Sequence, residues 1–177
     1  MQAGARTRTL ALAALMAALL AVLAPVTVPV GPVPITLATF AVFLAGAMLP
    51  PTAAAASMAT YLLLGAVGLP VFSGYRGGLQ VLVGPTGGYL WGYFVVAVVL
   101  ALAVRRTQRF WLRFAAAMAG MAGCYLLGSV WYMVVTGTPF WSAVALCVVP
   151  FVLPDMLKAL LALALAQRLR LAGRREG

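Results

Sequence analysis

The chain has 177 residues, 65% of them hydrophobic and only 8% charged, with 12 Lys+Arg, two Asp+Glu, no His and a net charge of +10. That composition belongs to integral membrane proteins rather than soluble domains, and the length allows one domain. With no His, two acids and two cysteines (Cys124 and Cys147) inside apolar runs, a metal centre and a His-based catalytic triad are excluded. The basic residues stand at the ends of apolar runs, so membrane topology explains them and nucleic acid is not an expected partner.

Residues 1–9 are polar and carry Arg6 and Arg8. The apolar run that follows is read as a first membrane span over 10–26 rather than a cleaved signal peptide, because the chain continues as a polytopic membrane protein. Within it Ala13, Ala17 and Ala21 recur every four residues, with Ala14 and Ala18 beside them. Small residues at that spacing let another helix approach closely, although an alanine-rich composition also produces the pattern. Pro25, Pro29, Pro32 and Pro34 then predict an uncharged turn at the membrane surface. Spans are expected over 35–49 and 52–68, divided by Pro50-Pro51, with Thr52 capping the third helix. Both are short against the ~20 residues of a full crossing.

The stretch from Leu69 to Trp91 is rich in glycine, with Gly74, Gly77, Gly78, Gly84, Gly87 and Gly88, and Gly92 just beyond it. A non-helical backbone cannot face lipid, because its N–H and C=O groups would go unpaired. This stretch is therefore expected to form part of a ligand pocket held by the helices. Further spans are expected over 87–104, 114–135 and 141–170, the last broken near 150–154, with Pro154 at the first position of the final helix. Gly120, Gly123 and Gly128 offer small-residue packing in the fifth span. The expected fold is an all-α integral membrane domain over 1–177, with six transmembrane helices and a glycine-rich loop between helices 3 and 4.

With the N-terminus in the cytoplasm, the cytoplasmic segments hold Arg6, Arg8, Arg105, Arg106, Arg109, Arg113, Arg168, Arg170, Arg174 and Arg175, ten of the 12 basic residues. This is the bias of the positive-inside rule, and it puts both termini in the cytoplasm. Arg76, Asp155 and Lys158 have no topological explanation. A charge within a span costs at least ~2.5–3.5 kcal/mol on insertion scales, so such residues usually mark function. Asp155 and Lys158 are three apart and share a helix face. One reading makes them a helix cap and a structural pair, with Arg76 in a wet loop. The other makes them a pocket for a small amphiphilic anion, walled by Phe72, Tyr75, Tyr89 and Trp91, in which a cation meets a carboxylate and Asp155 accepts N–H donors. Asp155 alone, without a nucleophile beside it, does not make an enzyme site.

The segments VPITLATFAVFLAGAML, YLLLGAVGLPVFSGYRGGLQVLVGPTGGYLWGY and PFVLPDMLKALLA resemble BioY, the biotin-specific substrate-binding (S) component of energy-coupling-factor vitamin transporters. The resemblance runs from about Leu10 to Leu169. It implies a six-helix protein of the bacterial cell membrane that binds biotin from outside, has no cofactor and hydrolyses nothing. It further implies partnership with a transmembrane T component and two ATP-binding-cassette ATPases, with reorientation in the membrane as the route of release; a homo-oligomer is also open. Asp155 and Lys158 match the family's Asp-x-x-Lys element and would bind the polar groups of biotin. Arg76 matches a basic position of its glycine-rich loop, and Thr36, Gln80 and Tyr89 are further pocket candidates. The alanine face of the first helix would contact the T component, which assigns that role to Ala13, Ala17 and Ala21. Pro154 departs from the small residue, such as glycine, expected before the Asp. An S component for another vitamin and a ligand-free helper subunit are the competing readings.

Overall fold

In this computed structural model, which describes residues 2–28 and 33–173, the described residues form eight α-helices and one two-stranded ribbon. The helices are α1 (Gln2–Leu23), α2 (Ala38–Met48), α3 (Pro51–Ala66), α4 (Leu79–Val83), α5 (Gly87–Arg106), α6 (Phe110–Thr136), α7 (Phe140–Cys147) and α8 (Val149–Gly173). Among the described residues, four stretches are long and apolar enough to cross a membrane: Arg6–Leu23 in α1, α5, α6 and Val149–Leu171 in α8.

The centre of the bundle is α2, whose residues from Ala41 to Ala47 are all buried among α1, α3, α5 and α8. Its 11 residues rise only about 16 Å, roughly half of the hydrocarbon thickness. Ile35 and Thr36, expected at the start of this span, are extended instead. They form β2 (Ile35–Thr36), antiparallel to β1 (Thr27–Val28), with Thr27 opposite Thr36 and Val28 opposite Ile35. Pro34 cannot donate to a helical ladder, and the β-branched residues on both strands favour the pleated form. Pro29 and Pro32 of the expected turn lie outside the described residues.

α3 begins differently from the expectation too. Pro50 is its cap and Pro51 its first residue, so Thr52 sits inside the first turn. Proline suits this place because the first helical N–H groups have no partner within the helix.

α5 and α6 make the closest pairing in the bundle. A methyl group on Gly92 would stand 2.5 Å from Cys124 Sγ and 3.0 Å from Cys124 Cα, and one on Gly120 would stand 3.0 Å from Val96 Cα. The absence of side chains there is what lets the two backbones meet, and van der Waals contact of this kind drives helix association in lipid. Gly88 and Gly128 receive the side chains of Trp131 and Tyr89 in the same way.

The glycine-rich stretch is not helix-free, since it contains α4. Before α4 it folds back over the end of α3. Phe72 is fully buried, meets the Tyr61 ring edge-on at 5.5 Å, and occupies the space above Gly65 that a side chain would fill. Tyr61 Oη donates to the Val71 carbonyl at 3.2 Å, and the Gly78 N–H donates to the Gly65 carbonyl at 2.7 Å. Gly78 has φ +96°, a conformation glycine adopts without strain.

The break in the last span falls at Val148, earlier than expected. Pro150 takes the N-terminal place that Pro154 was expected to hold, and Pro154 lies inside α8. Its missing N–H leaves the Pro150 carbonyl without the usual helical donor, one residue before Asp155. Asp155 is therefore the seventh residue of α8, beyond the first turn and its dipole.

α1 shows a further difference. Ala13 and Ala17 are 6% and 1% exposed, turned into the bundle, and Ala21 is half-buried. Ala11, Ala14, Leu15, Ala18 and Val22 make the outward face. Ala13 and Ala17 thus pack inside the bundle, and the small residues on the outward face are Ala11, Ala14 and Ala18.

Candidate functional site

A cavity of about 70 Å³ opens where the β-ribbon, the glycine-rich stretch and the starts of α5 and α8 meet. That is several times the ~10–15 Å³ a single water needs. Asp155 and Lys158 lie in it, 2% and 9% exposed, joined by an ion pair of 2.9 Å. The three-residue spacing puts both on one face of α8, and α2 and α6 complete the shell. Thr39 Oγ1 donates to Asp155 Oδ1 at 2.7 Å and accepts from Lys158 Nζ at 3.2 Å. Tyr125 Oη donates to Asp155 Oδ2 at 2.7 Å.

A carboxylate has about four acceptor sites and an ammonium three donors. Asp155 uses three of its sites, on Thr39, Lys158 and Tyr125. Lys158 uses two donors, on Asp155 and Thr39. About one acceptor and one donor therefore remain side by side in a desolvated place, and a ligand that offers a donor beside an acceptor completes both.

The structure brings Thr36, Arg76, Tyr89, Asp155 and Lys158 to this one cavity. Thr36 Oγ1 also accepts the Ala38 N–H at 3.0 Å, and the Tyr89 hydroxyl pairs with that of Ser129 at 3.3 Å. Arg76 stands at the mouth, exposed, with Nε donating to the Ser73 carbonyl at 3.0 Å. Gln80 does not line the cavity. Its amide turns back to the Gly77 carbonyl at 2.7 Å, in an adjoining hollow that shares Arg76, Val81 and Thr86 with the main cavity. Of the four expected aromatic walls, Phe72 and Tyr89 line the cavity, while Tyr75 and Trp91 point away, 68% and 42% exposed.

Several lining residues escaped the sequence reading. Thr39 and Tyr125 orient Asp155, and their only signal is a polar atom in an otherwise apolar run. Ser73 offers a buried hydroxyl with no partner among the described residues. It faces the cavity beside Arg76, so a ligand anion there would meet a guanidinium and a free O–H donor. Cys124 and Cys147, buried thiols, are part of the wall, with Tyr93, Met121 and Phe151.

The comparisons with known proteins agree with one another. A family model described as the BioY family matches residues 1–175. A biotin transporter BioY of Thermotoga maritima is 41% identical, over 92% of this chain and 96% of that protein. A probable biotin transporter BioY of Pyrococcus horikoshii is 38% identical, over 93% of this chain and 98% of its own length. Among solved structures, the S-component for biotin from an ECF-type ABC transporter superposes with a TM-score of 0.88. It is 26% identical and covers 96% of this chain and 94% of that one.

Proposed function

The chain belongs to the BioY family, and on that premise we propose that it is the biotin-specific S component of an energy-coupling-factor transporter, a membrane protein that binds its vitamin and catalyses no reaction. The observation that carries the reading is the buried Asp155–Lys158 pair with one acceptor and one donor to spare. Biotin's ureido ring offers that complement, since its N–H groups donate and its carbonyl accepts. The ring lies deep, with an N–H on Asp155 and the carbonyl on Lys158. The valerate chain runs out past Phe72 and Tyr89, and its carboxylate meets Arg76 and the Ser73 hydroxyl at the mouth. Counted together, Arg76, Lys158, Asp155 and the biotin carboxylate sum to zero charge, which suits a cargo carried through a membrane.

Six membrane passes, with both termini in the cytoplasm and the pocket facing outward, complete the topology. Its support is the placement of the arginines. Arg8, Arg105, Arg113 and Arg170 gather where α1 begins, α5 turns into α6 and α8 ends, at the opposite end of the bundle from the cavity. Trp111 and Trp141, 71% and 79% exposed, bracket α6 at its two ends as interfacial aromatics do. A T component and two ATPases supply the energy, and the outward stripe of Ala11, Ala14 and Ala18 on α1 is the small-residue surface open to the T component.

Equilibrium titration of detergent-purified protein with biotin tests the reading. One saturable site per chain, not displaced by unrelated vitamins, is the expected result, and a folded protein that ignores biotin overturns it. Two variants report on the two ends of the ligand. Tyr125→Phe removes one hydrogen bond to the Asp155 carboxylate and is expected to weaken biotin about tenfold. Arg76→Ala is expected to weaken biotin roughly three- to tenfold, because the guanidinium is wet. The same change leaves the neutral biotin carboxamide unaffected, and an equal loss for both ligands would place the carboxylate elsewhere.

A further inference from the structure

At the arginine end of the bundle lies a second cavity, of about 700 Å³. It is half open and bounded by the start of α1, the α2–α3 junction, the α5–α6 junction and the last turns of α8. Arg8, Arg113 and Arg170 line it, and no acidic side chain does among the described residues. A neighbouring hollow of about 340 Å³ shares the wall around Pro50 and Gln108 and adds Arg105.

Arg113 is the anchor. It is only 8% exposed, and its guanidinium donates to the Thr107 carbonyl at 2.8 Å and to the Gln108 side-chain oxygen. Both acceptors are neutral. A buried cation held by neutral groups is a place that an anion completes, since desolvation of an uncompensated charge is costly. The protein itself has few anions to give. Of its two acids, Asp155 is committed to Lys158 in the other cavity, and Glu176 lies outside the described residues.

The rest of the lining indicates what kind of anion fits. Leu12, Met48 and Leu49 form an apolar wall beside the arginines, and Leu171 at its edge is 54% exposed. A cationic floor with an apolar side wall at a membrane border matches a phosphate group that carries acyl chains. Basic hollows between helices on the cytoplasmic side hold such headgroups, and a guanidinium meets phosphate in a forked geometry that an ammonium cannot copy.

We propose that this cavity is a phosphate-anion site, which in the membrane seats the headgroup of an anionic phospholipid. The site is independent of the biotin pocket, so biotin binding serves as the control for folding in every variant. Native mass spectrometry of the purified full chain would measure retention of dioleoylphosphatidylglycerol against dioleoylphosphatidylcholine, with inorganic phosphate as competitor. Wild type is expected to hold one phosphatidylglycerol in preference to phosphatidylcholine, with affinity falling as salt rises. Arg8→Gln and Arg113→Gln are each expected to lower that affinity about fivefold, and Arg113→Lys to restore part of the loss. Displacement by millimolar phosphate alone supports the anion site and assigns it to a soluble phosphate. Equal retention of the two lipids, or phosphatidylglycerol affinity unchanged in both glutamine variants that still bind biotin, overturns the proposal.

Discussion

Replacing Asp155 with alanine is expected to weaken biotin binding by about two to three orders of magnitude. In the proposed pose the change removes the acceptor for the ureido N–H. It also strips Lys158 of its ion-pair partner, leaving it only the Thr39 hydroxyl. Breaking a buried pair in this way costs ~3–5 kcal/mol, and each 1.4 kcal/mol is about tenfold in affinity. The same imbalance is expected to lower the thermal midpoint of the unliganded protein. The double variant Asp155→Ala/Lys158→Ala separates the two effects. It leaves no orphan charge, so its stability is expected to recover toward wild type while binding stays lost. If the Asp155 variant binds biotin within tenfold of wild type, the pair has no part in recognition.

The second large effect concerns the α5–α6 contact. Gly92→Leu is expected to abolish or strongly reduce the folded yield. A Cβ at that position already meets Cys124 at 2.5 Å on sulfur and 3.0 Å on Cα, so a full side chain forces the two backbones apart. Overpacking of this kind costs ~1–3 kcal/mol in a well-packed core, and more where the obstacle is backbone rather than a flexible side chain. Tyr89 and Tyr125 reach the Asp155–Lys158 cavity from these two helices, so separation also opens the site. Gly123→Ala is the control. Its added methyl meets only Val95 Cγ1, at 3.1 Å, and a small shift of that side chain accommodates it. Thermal unfolding in detergent, with and without biotin, distinguishes the two. Gly92→Leu behaving like Gly123→Ala would show that the close approach is not what holds α5 against α6.

The sequence made the membrane class, the long spans and the odd charges legible for a simple reason. Long apolar runs are costly to leave in water, and an ionic residue inside such a run is costly to place in a span without a purpose. Asp155 and Lys158 stood out because nothing topological accounts for them, and the structure puts them in one buried pair. Thr39 and Tyr125 were harder to see. A threonine in LATFAV and a tyrosine in GCYLL each carry a hydroxyl that any helix satisfies on its own carbonyls, and only the tertiary fold turns both onto Asp155. The register of α1 was illegible for a related cause. A helix that is apolar all round has no contrast between its faces, so Ala13/Ala17 and Ala14/Ala18 read alike until the packing buries the first pair and exposes the second. At Pro154 local chemistry misled. Proline favours helix starts, but Pro150 had already taken that place, and the interior proline is tolerated where it leaves one carbonyl free. The β-ribbon was hidden in a stretch whose prolines read simply as a turn, although the alternating Val and Thr between them favour pleated backbone.

In the proposed pose the Asp155–Lys158 pair reads the ureido head of biotin while Arg76 meets its carboxylate. A structure of the full chain determined with bound biotin tests it most directly. The ureido nitrogen is expected within hydrogen-bond distance of Asp155, the ureido oxygen on Lys158, and the carboxylate at the mouth beside Arg76 and Ser73. Biotin found with its carboxylate on Lys158 and its ring at the mouth, or seated outside this cavity, would contradict it.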